Sequence, residues 1–264
     1  MNGKNLRKYG QGPFKVAVIH GGPGAPGEVK PLAEKLSEGR AVLEPFQTAP
    51  SIEGQVDELK DILEEHGDVP VTLIGYSWGA WLSTIFSAIY SPLVSKVILV
   101  GSPPFRQKYA SKITETRLKR LDGAEREETE ELMEKLDRSG GEVKKETLVR
   151  LEKLVRKADS FDPFKNGDRL EDVEVQPEIY RRIWDEASEV RKSGELLELV
   201  RLIECTVVAI HGDYDPHPGE GVREPLSKNI EDFRFVLLEK CGHTPWNEKQ
   251  ARDKFYAILE GLLK

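Results

Sequence analysis

The stretch of this chain best suited to nucleophilic chemistry is Gly75-Tyr76-Ser77-Trp78-Gly79, a serine held between glycines. Val71 to Ile74 before it is apolar and β-branched, as a buried strand requires, and Ala80 to Phe86 continues as a helix. A serine on the sharp turn between them cannot withdraw into either element. The glycines remove Cβ atoms that would collide where strand and helix meet. Unpaired N–H groups at the head of the helix favour developing negative charge.

Such a serine needs a base, and the base needs an orienting carboxylate. The chain has five histidines. His20 and His66 precede the serine, and His66 closes a helix whose C-terminus its charge complements. His211 and His217 crowd around Asp213 and Asp215, too close to lie on a separate loop. His243 stands alone beyond the last strand-like run and is the expected base, with Asp213 or Asp215 as its acid. Two N–H donors must stabilise an oxyanion. Trp78, directly after the serine, supplies one. The other is expected from the His20-Gly21-Gly22-Pro23-Gly24 loop, at Gly22, because Pro23 has no N–H to give.

The surrounding pattern supplies the elements that must position these groups. Strands are expected over Phe14–Ile19, Arg40–Phe46, Val71–Ile74, Val97–Val100, Val207–Ile210 and Phe233–Leu238, with at most one short strand before residue 13. Helices are expected over Glu28–Ser37, Ser51–His66, Leu196–Ile203, Gly221–Asn229 and the C-terminus to Leu263. Gly67 should terminate the second helix, and Thr244 with Pro245 should cap the last. Strands alternating with helices, apolar nearly throughout, specify an α/β fold with a parallel sheet covered on both faces. From Phe105 to Ser193 no strand-like run appears. Leu148, Leu151, Val155 and Ala158 recur at helical spacing, as do Ile179, Ile183, Ala187 and Val190. This reads as a helical insertion broken at Ser139-Gly140-Gly141, Asp162-Pro163 and Asn166-Gly167. The expected organisation is a core of residues 1–104 and 196–264 with a cap, or lid, of residues 105–195.

The chain has 264 residues and a net charge of -7, which argues against nucleic acid or an anionic membrane surface as partner. Nothing at Met1 to Asn5 resembles a signal peptide, and no apolar run approaches membrane-spanning length. Two cysteines fit a reducing compartment, and the expected location is cytoplasmic. Cys205 precedes one strand and Cys241 follows another, so a parallel sheet sets them at opposite ends, too far apart to bridge. No histidine and cysteine spacing suits zinc, and the glycine loop lacks the Gly-Lys-Ser/Thr of a phosphate loop, so no cofactor is expected.

The serine turn, Gly212-Asp213-Tyr214-Asp215 and the terminal His243 resemble the α/β-hydrolase superfamily. That resemblance implies the order Ser77, Asp215, His243, with the second aspartate of the turn as the acid. The His-Gly-Gly-Pro-Gly run with Ser77-Trp78-Gly79 is similar to the prolyl iminopeptidase branch, which removes an N-terminal residue beneath a helical cap. Tyr76 departs from it, standing where those enzymes usually have glycine, and Ala80 where they often have serine. Their cap glutamates have no match by motif. Trp184 and Glu186, or Asp185 in place of Glu186, are named as candidate substrate contacts from position alone.

The expected function is therefore a serine hydrolase cleaving a small ester, amide or N-terminal peptide bond through an acyl-enzyme, its partner a small molecule or short peptide. The same residues fit a carboxylesterase or acyltransferase. The competing class is a ligand-binding scaffold of this fold that does not turn over.

Overall fold

The computed structural model describes residues 5–138, 144–165 and 176–264. The helix breaks expected at residues 139–141 and 166–167 lie outside the described residues. Seven strands form the sheet: β1 (Leu6–Tyr9), β2 (Val16–Ile19), β3 (Val42–Pro45), β4 (Val71–Tyr76), β5 (Val94–Val100), β6 (Thr206–Gly212) and β7 (Phe233–Leu238). Their spatial order is β1-β3-β2-β4-β5-β6-β7. β1 runs antiparallel to β3, and every other pairing is parallel. Between and after the strands lie α1 (Lys30–Leu36), α2 (Ile52–His66), α3 (Trp78–Ile89), α9 (Glu220–Ser227) and α10 (Arg252–Leu262). Between β5 and β6 the chain forms α4 (Gln107–Arg120), α5 (Gly123–Arg138), α6 (Lys145–Asp159), α7 (Pro177–Ser193) and α8 (Glu195–Val200).

Alternation along each strand divides the apolar side chains between two cores. Ala17, Ile19 and Leu73 pack with α2, α3 and α8 on one face, through Leu59, Trp81, Phe86 and Val200. Val16, Val18 and Ile74 pack with α1 and α10 on the other, through Leu32 and Phe255. Both faces are covered, which is why these strands read as apolar runs.

Local chemistry sets most helix ends. The Ser51 hydroxyl accepts from Gly54 N–H at 3.1 Å at the head of α2. Pro177 opens α7, and Gly194 ends it with a left-handed φ of 88°. Gly67 ends its helix as expected, whereas Thr244 does not cap the last helix. Gly67 closes α2 in an extended conformation (φ -88°, ψ 148°), its N–H still donating to the Leu63 carbonyl at 2.9 Å. Thr244 opens only a three-residue 3-10 turn, Pro245–Asn247, and its side chain caps nothing; its hydroxyl is hydrogen-bonded to that of Tyr76 at 2.8 Å.

The helices between β5 and β6 fall into two kinds. Leu132 of α5 with Leu151 and Leu154 of α6 forms a small apolar cluster of its own. Ile183 and Ala187 of α7, by contrast, are fully buried in the main core beside Trp78, Trp81 and Leu196. Part of the segment assigned to the cap therefore helps to build the hydrophobic core. Among the described residues no helix is long and apolar enough to cross a membrane.

Candidate active site

The candidate residues collect at the carboxyl ends of the parallel strands: the His20 loop after β2, Ser77 after β4, Asp215 after β6 and His243 after β7. Ser77 has φ 50° and ψ -117°, a conformation that side-chain-bearing residues rarely adopt and that costs on the order of 1–3 kcal/mol. Two hydrogen bonds pin it: Ser77 N–H donates to the Val100 carbonyl at 2.9 Å, and its own carbonyl accepts from Ala80 N–H at 3.0 Å. The flanking glycines are required by crowding. A Cβ on Gly75 would meet the Gly79 carbonyl at 2.2 Å, and one on Gly79 would meet the Ile19 and His20 carbonyls at 2.4 and 2.6 Å.

Asp215 is the most heavily engaged of these candidates. Asp215 Oδ2 accepts from His243 Nδ1 at 2.7 Å, while Oδ1 accepts from His217 Nδ1 at 2.8 Å and from His217 N–H at 2.9 Å. Its side chain is wholly buried. Burial alone would raise its pKa, but His243, His217 and His211 around it hold the carboxyl well below its usual value. Because a carboxylate only accepts, His243 carries its proton on Nδ1 when neutral, leaving Nε2 free as a base. Burial would lower the His243 pKa, yet the charge and hydrogen bond of Asp215 outweigh it and the net shift is upward. Asp213 is exposed and accepts from Cys241 N–H at 3.1 Å, a turn clasp rather than a partner for either ring.

Ser77, His243, Gly22 and Trp184 line one cavity of about 360 Å³. Among the described residues no hydrogen bond joins the Ser77 hydroxyl to His243. That contact is commonly long before substrate binds. Trp78 opens α3, so its backbone N–H has no partner within the helix. Its indole is turned into the core, donating to Gln55 Oε1 at 2.9 Å. Trp184 meets Trp78 and Trp81 edge-on, with ring centroids 6.0 and 6.5 Å apart. Glu186 is not at the cavity: its carboxylate accepts from Ile52 N–H at 2.8 Å, at the head of α2.

Four further residues support the site in ways that the sequence motifs did not announce. His20 is fully buried, donates from Nδ1 to the Gly21 carbonyl at 2.9 Å, and accepts from Gln47 N–H at 3.2 Å. It fixes the glycine loop, and burial lowers its pKa to about 4. Tyr76, besides its bond to Thr244, lies 5.1 Å from the His243 ring and 4.7 Å from Trp246, joining the serine turn to the histidine loop. Glu248 accepts from Gly242 N–H at 3.1 Å, from Phe161 N–H at 2.8 Å and from Asp162 N–H at 2.7 Å. With His243 N–H donating to the Asp159 carbonyl at 2.9 Å, the chain leaving α6 is stitched to the histidine loop. His217 is the fourth. It lies 4.6 Å from the His243 ring, and burial lowers its pKa to about 4 against the pull of Asp215. A histidine two residues after an aspartate was the only sequence signal for it.

Asp215, His217 and His243 also bring possible metal-ligating atoms within 4.8 Å of one another, the one such set among the described residues. Both carboxylate oxygens are already spent on ring N–H groups, and an ion there would displace both bonds.

The family model described as alpha/beta hydrolase fold matches residues 16–246. No curated protein matches the chain. Among solved structures, VinJ is similar over 100% of this chain and 96% of its own, with a TM-score of 0.71 and 17% identity. A lipase (lip1) of Acinetobacter baumannii AYE, described in its structure as putative, gives 0.64 at 16% identity, covering 99% of this chain and 90% of its own. Proline iminopeptidase of Mycobacterium smegmatis gives 0.64 at 15%, covering 99% and 95%. At these identities the likeness concerns the fold alone.

Proposed function

The chain belongs to the alpha/beta hydrolase fold family, and from that premise we propose that it is a serine hydrolase working through an acyl-enzyme. The observation that carries this reading is the buried Asp215 holding His243 by Nδ1, with Nε2 free, on the same cavity as a strained Ser77. In this reading His243 takes the Ser77 proton as the hydroxyl attacks the substrate carbonyl. The Gly22 and Trp78 N–H groups receive the oxyanion, and His243 returns the proton to the leaving group. Water repeats the sequence to release the acid.

The cavity also bears on substrate class. An N-terminal peptide bond presents an ammonium group, which needs an acid to receive it. Asp159, Glu152 and Glu28 line the cavity, but Arg117 holds the first through two hydrogen bonds and Arg156 pairs with the other two. This favours small esters and amides over iminopeptidase substrates. A cavity of about 360 Å³ suits a small molecule. Helices α4 to α6, which supply much of its wall, act as the cap.

The test is a panel of p-nitrophenyl esters and aminoacyl anilides assayed on wild type and Ser77→Ala. Ester hydrolysis that Ser77→Ala abolishes, with cooperative folding retained, is expected. Full activity in purified Ser77→Ala would overturn the proposal.

A further inference from the structure

Three arginines line the cavity beside Ser77, and one of them differs from the others. Arg117 donates to both oxygens of Asp159, at 2.8 and 2.7 Å. Arg156 is paired with Glu152 at 2.8 Å and with Glu28. Arg191 has no carboxylate partner among the described residues. Its Nε donates to the neutral Gln107 Oε1 at 2.9 Å, and its guanidinium carbon lies over the Trp81 ring, 5.5 Å from the centroid.

The fold builds this placement. Tyr180, Trp184 and Arg191 recur at spacings of four and seven on one face of α7, the face that lines the cavity. Ile183 and Ala187, on the adjacent stripe of the same helix, anchor it in the core. Gln107 opens α4 directly opposite, so the first turn of one helix orients a side chain from the last turns of the other. Trp81 is itself fixed by its indole N–H, which donates to the Pro103 carbonyl at 3.0 Å, and Pro103 is also cavity wall. A guanidinium with Nε committed and one face stacked is held in orientation. Its terminal N–H groups remain as a planar fork suited to a carboxylate. Half-burying a cation without a counter-charge is unfavourable, and burial accordingly lowers the Arg191 pKa from its usual value. A ligand anion would remove that cost.

We propose that Arg191 is a substrate-recognition residue, binding a carboxylate that the substrate carries away from its scissile bond, at the Pro103 end of the cavity. This rests on the hydrolase reading above. It narrows the substrate class to esters or amides with a free carboxylate on the acyl or leaving-group side. The cavity's other two arginines already have their charge matched by acids, Arg117 by Asp159 and Arg156 by Glu152 and Glu28.

Binding to the Ser77→Ala protein tests the proposal without requiring turnover. Two probe series are titrated by calorimetry: monomethyl esters of C4 to C10 dicarboxylic acids against the matching fatty-acid methyl esters, and ω-acetoxy carboxylic acids against the matching alkyl acetates. At least one carboxylate is expected to bind about tenfold or more tightly than its neutral match, as a pair of charge-assisted hydrogen bonds would give. Arg191→Gln in the same background should bring the ratio to about unity, and Arg191→Lys should keep part of it. Melting curves confirm that both variants fold. No carboxylate preference in either series, or a preference that survives Arg191→Gln, overturns the proposal. Reaction of the wild-type protein with a neutral fluorophosphonate tests the hydrolase reading separately. A protein that binds carboxylates through Arg191 but does not react would retain the subsite and lose the enzyme.

Discussion

Replacing Asp215 by asparagine, beside the same change at Asp213, separates the two acids of one turn. Asp215 accepts three hydrogen bonds, two of them from Nδ1–H of different histidines, and its side chain is wholly buried. An amide has one acceptor oxygen and one donor nitrogen, so Asp215→Asn must turn its NH2 toward either His217 or His243. Facing His243, it forces the proton to Nε2, the wrong tautomer for a base. Facing His217, it leaves His243 without the negative charge that favours its protonated form. The loss expected for a neutralised triad acid is about 10⁴-fold in kcat/KM, or about 5.5 kcal/mol of transition-state stabilisation. Asp213 is exposed and makes one bond, to Cys241 N–H at 3.1 Å, for which about 1 kcal/mol is expected and so less than about tenfold in rate. Hydrolysis of a p-nitrophenyl ester by both purified variants, with melting curves to show that they are folded, supplies the comparison. Equal losses, or a larger loss at Asp213, would refute the reasoning.

Three further outcomes are expected. His20 has its pKa lowered from 6.5 to about 4 by burial, so the unfolded chain binds more protons between those values. Its contribution to stability is complete above about pH 6.5 and is lost as pH falls toward 4. The loss is about 3 kcal/mol, read as the difference in denaturation free energy between wild type and His20→Asn across that window; a flat difference would contradict it. Tyr76→Phe removes a buried hydroxyl bonded to Thr244 and should cost about 1–2 kcal/mol in urea denaturation with a fall in kcat; an unchanged midpoint would show that the bridge is idle. Glu248→Gln cannot accept from Gly242, Phe161 and Asp162 together, and should lower stability by about 1–3 kcal/mol and slow ester hydrolysis. A variant as stable and active as wild type would mean that the stitch between the end of α6 and the histidine loop does not matter.

The sequence reading succeeded where local chemistry decides structure. The apolar runs at Val71–Ile74 and Val207–Ile210 became strands because helices on both faces require apolar side chains throughout. Ser77 was readable because a strained turn demands its glycines nearby in the chain. Contacts made across the fold were not readable. Nothing near Tyr76 announces its bond to Thr244, 168 residues later, and the last helix begins at Arg252, well beyond the expected cap at Thr244. Glu186 lies two residues from Trp184, but the helix turns it toward the head of α2 instead of the cavity. The helical spacing of Ile179, Ile183, Ala187 and Val190 likewise did not reveal that Ile183 and Ala187 are buried in the main core, beside the cavity-lining Trp184. An amphipathic stripe in sequence gives the period of a helix without saying which partner it covers.

Active-site labelling tests most directly whether Ser77 is a nucleophile activated by His243, which Asp215 orients. Native protein is treated with a neutral fluorophosphonate, and the modified residue is located by mass spectrometry of proteolytic peptides. One equivalent of label on Ser77 is expected, absent from Ser77→Ala and formed far more slowly in His243→Ala and Asp215→Asn. A folded protein that takes up no label, or takes it up at another residue, would contradict the account.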